Sequence, residues 1–299
     1  MTTTYESTTG RVGFIGLGDI GKPMAKRLAT WSGGLTVFDL APRPVEELVA
    51  EGATAANSVA ELAADCSVIC IMVNTDDQVR DVIGQILGAA KPATVISVHS
   101  TISLDLPARL EDMAGRHDLL FADAPVSGGA MGAAAGTLAI LFGGSDAAFA
   151  AVKEPFALMA TEVVHCGPAG KGTAFKLARN MLHFISYTAT DEALRLAEAA
   201  GLNLQDLGRI VRHTDAITGG AGAIMHRDNA RTLTEDDPWW DIFQLPLGLA
   251  GKDLGHALEM AERLEVDVPM ARYAQKNIGA ALGYPTGYRA PEANAGEIG

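Results

Sequence analysis

The chain has 299 residues, 48% of them hydrophobic and 20% charged, and a formal net charge of −13. This length and apolar share can bury a large core and imply two domains. The negative balance argues against nucleic acid or an anionic membrane surface as partner, so an anionic substrate needs cations gathered locally, against the field of the whole molecule.

Apolar stretches such as SVICIMV fall far short of the roughly 20 residues that span a bilayer. The opening MTTTYESTTG lacks the basic start and apolar run of a signal peptide, and the expected location is the cytoplasm. Cys66, Cys70 and Cys166 are odd in number and scattered, which suits reduced thiols acting as small core residues better than a disulfide framework. None of the seven histidines sits in an HExxH arrangement or beside cysteines at ligand spacing, so no metal site is expected.

In chain order, Arg11 to about Gly167 alternates short β-branched runs with helical stretches: RVGFIGLG, LTVFDL, SVICIMVN, ATVISVHS, LLFADAPV, LAILFGG and EVVHCG. Strands alternating with helices at this spacing predict βαβ units and a mainly parallel sheet covered on both faces. From Lys171 to Ala200 the sequence runs without proline and, after Gly172, without glycine until Gly201, the pattern of one long helix with a glycine stop. Such a helix would be roughly 45 Å long and suited to joining two domains. NLQDLGRIVRHT, GKDLGHALEMAERLE and PMARYAQKNIGAALG also read as helical, with no convincing strand among them. The second domain is therefore expected to be all α, and the final APEANAGEIG a loose tail.

VGFIGLGDIGKPMAKRLA places Gly16, Gly18 and Gly21 as G-x-G-x-x-G after a strand and at the opening of a helix. In a dinucleotide site the first glycine permits a tight turn, the second lets backbone approach a pyrophosphate, and the third allows close packing of helix on strand. The candidate cofactor loop is Gly16, Leu17, Gly18, Asp19, Ile20 and Gly21. Asp39 lies 18 residues beyond Gly21, close to the expected ribose-binding acid. A carboxylate there accepts from the adenosine 2′-hydroxyl and repels a 2′-phosphate, which favours NAD over NADP. Asp39 also reads as a strand-end cap, and Arg43, between Pro42 and Pro44, is a rival partner for a phosphate.

A second glycine cluster, Ser127, Gly128 and Gly129, follows an apparent strand. Exposed backbone amides and a hydroxyl can hold a carboxylate, and the competing reading is a flexible turn. Lys176 and Asn180 stand one turn apart on the long helix. Taken bare, an i,i+4 polar pair means a solvated face.

These motifs, GFIGLGDIGKPMAKRL, HSTIS, DAPVSGGAMGAAAGTLAILFGG, GPAGKGTAFKLARN and GKDLGHA, occur in the order and at the separations of the β-hydroxyacid dehydrogenases, which the chain resembles from about Arg11 to Pro285. The resemblance implies an α/β fold: a Rossmann-type doubly wound sheet over residues 11–169, an all-helical substrate and dimerisation domain over 170–288 joined by the long helix, and the tail at 289–299. It implies that Lys176 is the catalytic acid/base and that Asn180 positions it and the substrate. It further implies that Ser127, Gly128 and Gly129 hold the substrate carboxylate, and that Thr101 and Lys252 lie against the nicotinamide side and the substrate. Met72, Val73 and Asn74 would follow the third strand into the cofactor cleft. Such a lysine accepts the hydroxyl proton on oxidation and returns it on reduction, provided its pKa is drawn down by a pocket or a nearby cation.

Bland readings stand beside these: core for Met72 and Val73, a helix-capping hydroxyl for Thr101, and an exposed pair at a helix start for Lys252 with Asp253. Arg179 and His99 depart from the family pattern, which commonly has asparagine and an acid there, and His183 is assigned no chemistry. The expected activity is NAD-dependent oxidation of a small 3-hydroxy acid to a semialdehyde, or its reverse, by a homodimer or homotetramer. The rivals are an NADPH-dependent semialdehyde reductase of the same architecture and a non-catalytic NAD-binding sensor.

Overall fold

The computed structural model describes residues 10–288, so the expected tail at 289–299 lies outside the described residues. The described chain divides into two compact units between Arg179 and Asn180.

In the first unit nine strands form one sheet. Four of them, β1 (Val12–Ile15), β2 (Leu35–Phe38), β4 (Val68–Ile71) and β5 (Val95–Val98), run parallel beside β3 (Thr54–Ala55) and β6 (Leu120–Asp123), in the order β3-β2-β1-β4-β5-β6. Every residue of β1, β4 and β5 is buried, as continuous apolar runs must be when helices cover both faces. β8 (Leu138–Gly144) pairs antiparallel with β6 and with the short β7 (Val126–Ser127), and parallel with β9 (Ala160–Gly167). The doubly wound sheet is thus present, with its far end turned antiparallel. The seven strands read from the sequence are found, while the two-residue β3 and β7 carried too little apolar signal to be read.

Seven helices cover the sheet: α1 (Gly21–Leu28), α2 (Pro42–Val49), α3 (Val59–Asp65), α4 (Asp76–Leu87), α5 (Leu106–Gly115), α6 (Gly129–Ala135) and α7 (Asp146–Phe156). They bury two separate clusters. Phe14, Met24, Leu28, Phe142 and Phe156 lie in one; Ile69, Ile71, Ile83, Ile96 and Leu110 lie in the other. Local chemistry sets several helix starts. Thr75 and Gln78 form a reciprocal capping box on α4, and the Ser58 and Ser145 hydroxyls take the Glu61 and Ala148 amides of α3 and α7, satisfying donors that lack helical partners.

The long helix is α8 (Lys171–Ala199), whose first turns belong to the first unit and the remainder to the second. The second unit continues with α9 (Leu204–Thr218), α10 (Pro238–Arg263) and α11 (Pro269–Ala281), separated from α9 by a 3-10 turn at Gly220–Gly222. No strand occurs among its described residues. Buried Glu192 on α8 accepts the Met270 and Ala271 amides at the start of α11. α10 corrects the expected helix start near Gly251: it begins at Pro238, capped by Asp237, and carries Pro246 in its interior. That proline masked the continuity, since an internal proline ordinarily breaks a helix. No helix of the described residues is long and apolar enough to cross a membrane.

Candidate active site

The strand order reverses between β1 and β4, and in open α/β sheets ligands bind beyond the carboxyl ends of strands at that point. Gly16 to Gly21 leave β1 there, Met72 to Asn74 leave β4, and Thr101 follows β5. The three glycines have different physical reasons. Gly16 has φ +92°, and a Cβ on it would overlap the Met72 carbonyl oxygen; a Cβ on Gly21 would overlap the Gly16 carbonyl oxygen. At Gly18 a Cβ would meet nothing within 4 Å. The fold therefore demands glycine at 16 and 21 and leaves 18 open.

Ile20, at the start of α1, supplies no side-chain cap; the Lys22 amide is taken by the Gly18 carbonyl at 3.0 Å, and Pro23 has no N–H to satisfy. Asp39 Oδ2 accepts the Leu17 amide at 2.6 Å and Oδ1 accepts the Ala41 amide at 2.8 Å. It thus ties the glycine turn to the end of β2, and each oxygen retains a lone pair for a ribose hydroxyl. A glycine turn open at Gly18, leading into the N-terminus of α1, and a carboxylate 18 residues beyond Gly21 form a set that fits a dinucleotide. Arg43 is exposed and paired with Glu47 on its own helix at 3.0 Å.

Met72 packs partly buried against the core, and its carbonyl faces Gly16. Val73 is held by Ser100, whose hydroxyl accepts the Val73 amide at 2.9 Å and donates to its carbonyl at 2.7 Å. The Asn74 amide donates to Gln78 Oε1. Thr101 is exposed and does not cap α5, whose N-cap position is Asp105. Ser100 received no role from sequence, because one hydroxyl beside another in HSTIS carries no sign of which turns inward.

Ser127 ends β7, and Gly128 and Gly129 follow with φ of +128° and +62°. This left-handed backbone is open to glycine at little cost. The Lys176 ammonium reaches the same turn, donating to the Val126 carbonyl at 2.7 Å. Only 9% of Lys176 is exposed, so the solvated-face reading does not describe it. Burial, with Arg179 nearby on the helix, pushes its pKa below the ordinary value of 10.5. An amine so held can pass a proton between its own nitrogen and a substrate oxygen.

Asn180 stands one turn further along α8, partly buried, and Arg179 is exposed. Lys252 lies in the second unit, in the middle of α10 rather than at a helix start, exposed and 3.3 Å from Asp253. His183 accepts or donates a 2.7 Å hydrogen bond with Tyr187. His99 is buried between Phe14 and Phe156 and bonded through Nδ1 to the Ala124 carbonyl.

Comparison with known proteins places the chain in a family. The family model described as the NAD binding domain of 6-phosphogluconate dehydrogenase matches residues 11–167. That described as NAD-binding of NADP-dependent 3-hydroxyisobutyrate dehydrogenase matches residues 170–287. An uncharacterized oxidoreductase of Mycobacterium tuberculosis (strain ATCC 25618 / H37Rv) is 46% identical over 285 residues, 94% of this chain and 96% of its own. A solved structure classed provisionally as an oxidoreductase, from Mycobacterium avium 104, is 49% identical with a TM-score of 0.89, covering 92% of this chain and 99% of that one. The Mycobacterium tuberculosis 3-hydroxyisobutyrate dehydrogenase solved with L-serine is 31% identical with a TM-score of 0.65, covering 92% and 96%.

The class so defined is that of the NAD(P)-dependent oxidoreductases. Within it, the chain belongs to the β-hydroxyacid dehydrogenase family.

Proposed function

We propose that this protein is an NAD-dependent dehydrogenase that oxidises the alcohol of a small 3-hydroxy acid to a semialdehyde, or catalyses the reverse. The observation that carries the reading is the desolvated Lys176 ammonium, held by the Val126 carbonyl immediately before Ser127, Gly128 and Gly129. Relatives named for such chemistry support it: a 2-(hydroxymethyl)glutarate dehydrogenase of Eubacterium barkeri and an NAD-dependent L-serine dehydrogenase of Pseudomonas aeruginosa.

The dinucleotide, when bound, supplies the hydride acceptor for oxidation and the donor for reduction. Gly16, Leu17, Gly18, Asp19, Ile20 and Gly21 would hold its pyrophosphate and Asp39 its adenosine ribose, with Met72, Val73, Asn74 and Thr101 as the further residues that would contact it. Ser127 Oγ and the amides of Gly128 and Gly129 bind the substrate carboxylate. Unprotonated Lys176 Nζ takes the hydroxyl proton as the carbinol hydrogen leaves as hydride, and returns it in the opposite direction. Asn180 offers a donor and an acceptor without competing for that proton. Lys252, on α10, is a further cation proposed to bind substrate and cofactor.

The preference for NAD rests on the Asp39 carboxylate, which a 2′-phosphate would face at close range, and on Arg43 being engaged by Glu47. The substrate is a small anionic molecule, and the protein works in the cytoplasm as a homodimer or homotetramer. Phe175, Met181, Phe184, Ile185 and Tyr187 on α8 each expose roughly half or more of their surface, apolar area around much of the helix of the kind that a second copy covers.

Purified protein incubated with NAD or NADP and a panel of hydroxy acids, including 3-hydroxyisobutyrate, L-serine and 2-(hydroxymethyl)glutarate, tests this through the absorbance of the reduced cofactor. Turnover with NAD exceeding that with NADP is expected. An NADP rate equal to or above the NAD rate removes Asp39 from its role, and cofactor binding without turnover on any acid favours the sensor.

A further inference from the structure

Asp123, at the end of β6, is a carboxylate with no exposed surface. Its Oδ1 accepts the Gly170 amide at 2.6 Å and its Oδ2 accepts the Thr173 amide at 2.5 Å. Both amides belong to the start of α8, where the first N–H groups of a helix lack carbonyl partners and carry its positive end. Burial raises the Asp123 pKa, and these amides oppose that rise.

Backbone approaches backbone at the same place. Gly143 pairs with Asp123 in the β6–β8 ladder. A Cβ on Gly143 would stand 2.5 Å from Asp123 Oδ1 and 2.6 Å from the Gly172 amide nitrogen, and a Cβ on Gly172 would overlap the Leu141 and Asp123 carbonyl oxygens. The first turn of α8 can sit there only because positions 143 and 172 carry no side chain. Three residues after Asp123, the Val126 carbonyl receives the Lys176 ammonium. One short run of chain, Asp123 to Val126, therefore grips α8 twice, by its first amides and by the lysine one turn later.

We propose that Asp123 is the positioning residue for Lys176: by clamping the Gly170 and Thr173 amides it fixes the first turn of α8, and so sets where the Lys176 amine stands beside Ser127 and how far it is withheld from water. The proposal rests on the reading of Lys176 as the proton-exchanging group, but its first readout needs no turnover. Should the first turn slip, Nζ leaves the Val126 carbonyl for solvent, and both its location and its proton affinity change. A misplacement of about 1 Å is enough to cost on the order of a hundredfold in rate.

Two variants of the full chain test it. Asp123→Asn keeps the shape of the side chain but sets an NH2 group against one of the two amide donors. Gly143→Ala removes no hydrogen-bonding group but forces a methyl group between Asp123 and α8, so that one of them must shift. Competitive acetylation with acetic anhydride over a pH series, read for each lysine by peptide mass spectrometry, gives the titration of Lys176 with exposed Lys91 as internal reference. In both variants the Lys176 midpoint should rise toward the ordinary lysine value of 10.5. The dissociation constant for NADH should stay within about twofold, and kcat should fall on the order of a hundredfold with a smaller change in KM.

A purely structural role for Asp123 lowers Tm yet leaves Lys176 of the folded variants titrating as in the parent, and that result overturns the proposal. If Asp123→Asn does not fold, Gly143→Ala alone decides between the same two outcomes. A shifted Lys176 in a protein that oxidises no hydroxy acid upholds the clamp while removing the proposed reaction.

Discussion

The Lys176 ammonium donates to the carbonyl oxygen of Val126 at 2.7 Å, so the cation is anchored by a neutral dipole at the foot of the Ser127–Gly129 turn. A carbonyl can orient the amine but cannot stabilise its charge as a carboxylate would, and burial draws the pKa down. Lys176→Ala should lower turnover by about 10²–10⁴-fold, the usual range for a general acid or base. NADH affinity, measured by fluorescence titration, should stay nearly unchanged. Lys176→Arg keeps the charge but cannot release a proton at working pH, and is expected to be as impaired; an arginine variant at full rate would exclude proton exchange at this position.

The direction of the Lys176 shift also fixes a pH dependence. Its neutral form accepts the substrate proton, so kcat/KM for oxidation should rise with pH along a limb whose midpoint lies below 10.5. The reductive reaction, which needs the ammonium, should fall along the same limb. Profiles recorded in both directions check the sign, and the limb should vanish from the residual rate of Lys176→Ala.

Substitutions at Gly16 and Gly18 should separate fold from ligand. Alanine at 16 meets both a positive φ and the Met72 carbonyl oxygen, whereas alanine at 18 meets nothing within 4 Å. Gly16→Ala is expected to lower Tm markedly. Gly18→Ala should melt like the parent and bind NADH at least about tenfold more weakly, because the added methyl group occupies the path of the pyrophosphate. Equal NADH affinity in a folded Gly18→Ala variant would show that the turn does not receive the dinucleotide.

His99 makes the protein acid-sensitive. Burial lowers its pKa to about 4, while the unfolded chain takes up the proton near the ordinary value of 6.5. Its neutral state is therefore stabilising above pH 6.5, and that contribution is lost as pH falls from 6.5 toward 4, by on the order of 3 kcal/mol. His99→Phe, placed between Phe14 and Phe156, removes the titration and also the bond to the Ala124 carbonyl. It should melt below the parent at neutral pH, and the gap in Tm should close as pH falls; a constant gap would mean that His99 does not titrate in this window.

Much of the fold could be read from neighbouring residues. The buried runs of β1, β4 and β5 and the uninterrupted α8 follow from hydropathy and from where proline and glycine fall. The glycine turn and Asp39 were likewise legible, since their spacing is itself the signal. Pro246 hid the first half of α10, because its tolerance depends on packing within the helical unit rather than on its neighbours. Asp123 stood in view in DAPVSGG and still carried no readable role, as its partner amides lie 47 and 50 residues away.

The sequence by itself determined the α/β order of elements and the glycine turn after β1, which rest on short-range rules, namely side-chain periodicity and glycine conformational freedom. Lys176 was singled out by the order of motifs shared with the family, since its neighbours alone read as a solvated helix face. Tertiary structure alone decided that Lys176 is withheld from water, that Gly18 opens on free space while Gly16 and Gly21 do not, and that Asp123 grips the start of α8. Desolvation, close backbone approach and hydrogen bonds across about fifty residues depend on what folding brings alongside a group, and no local pattern records that.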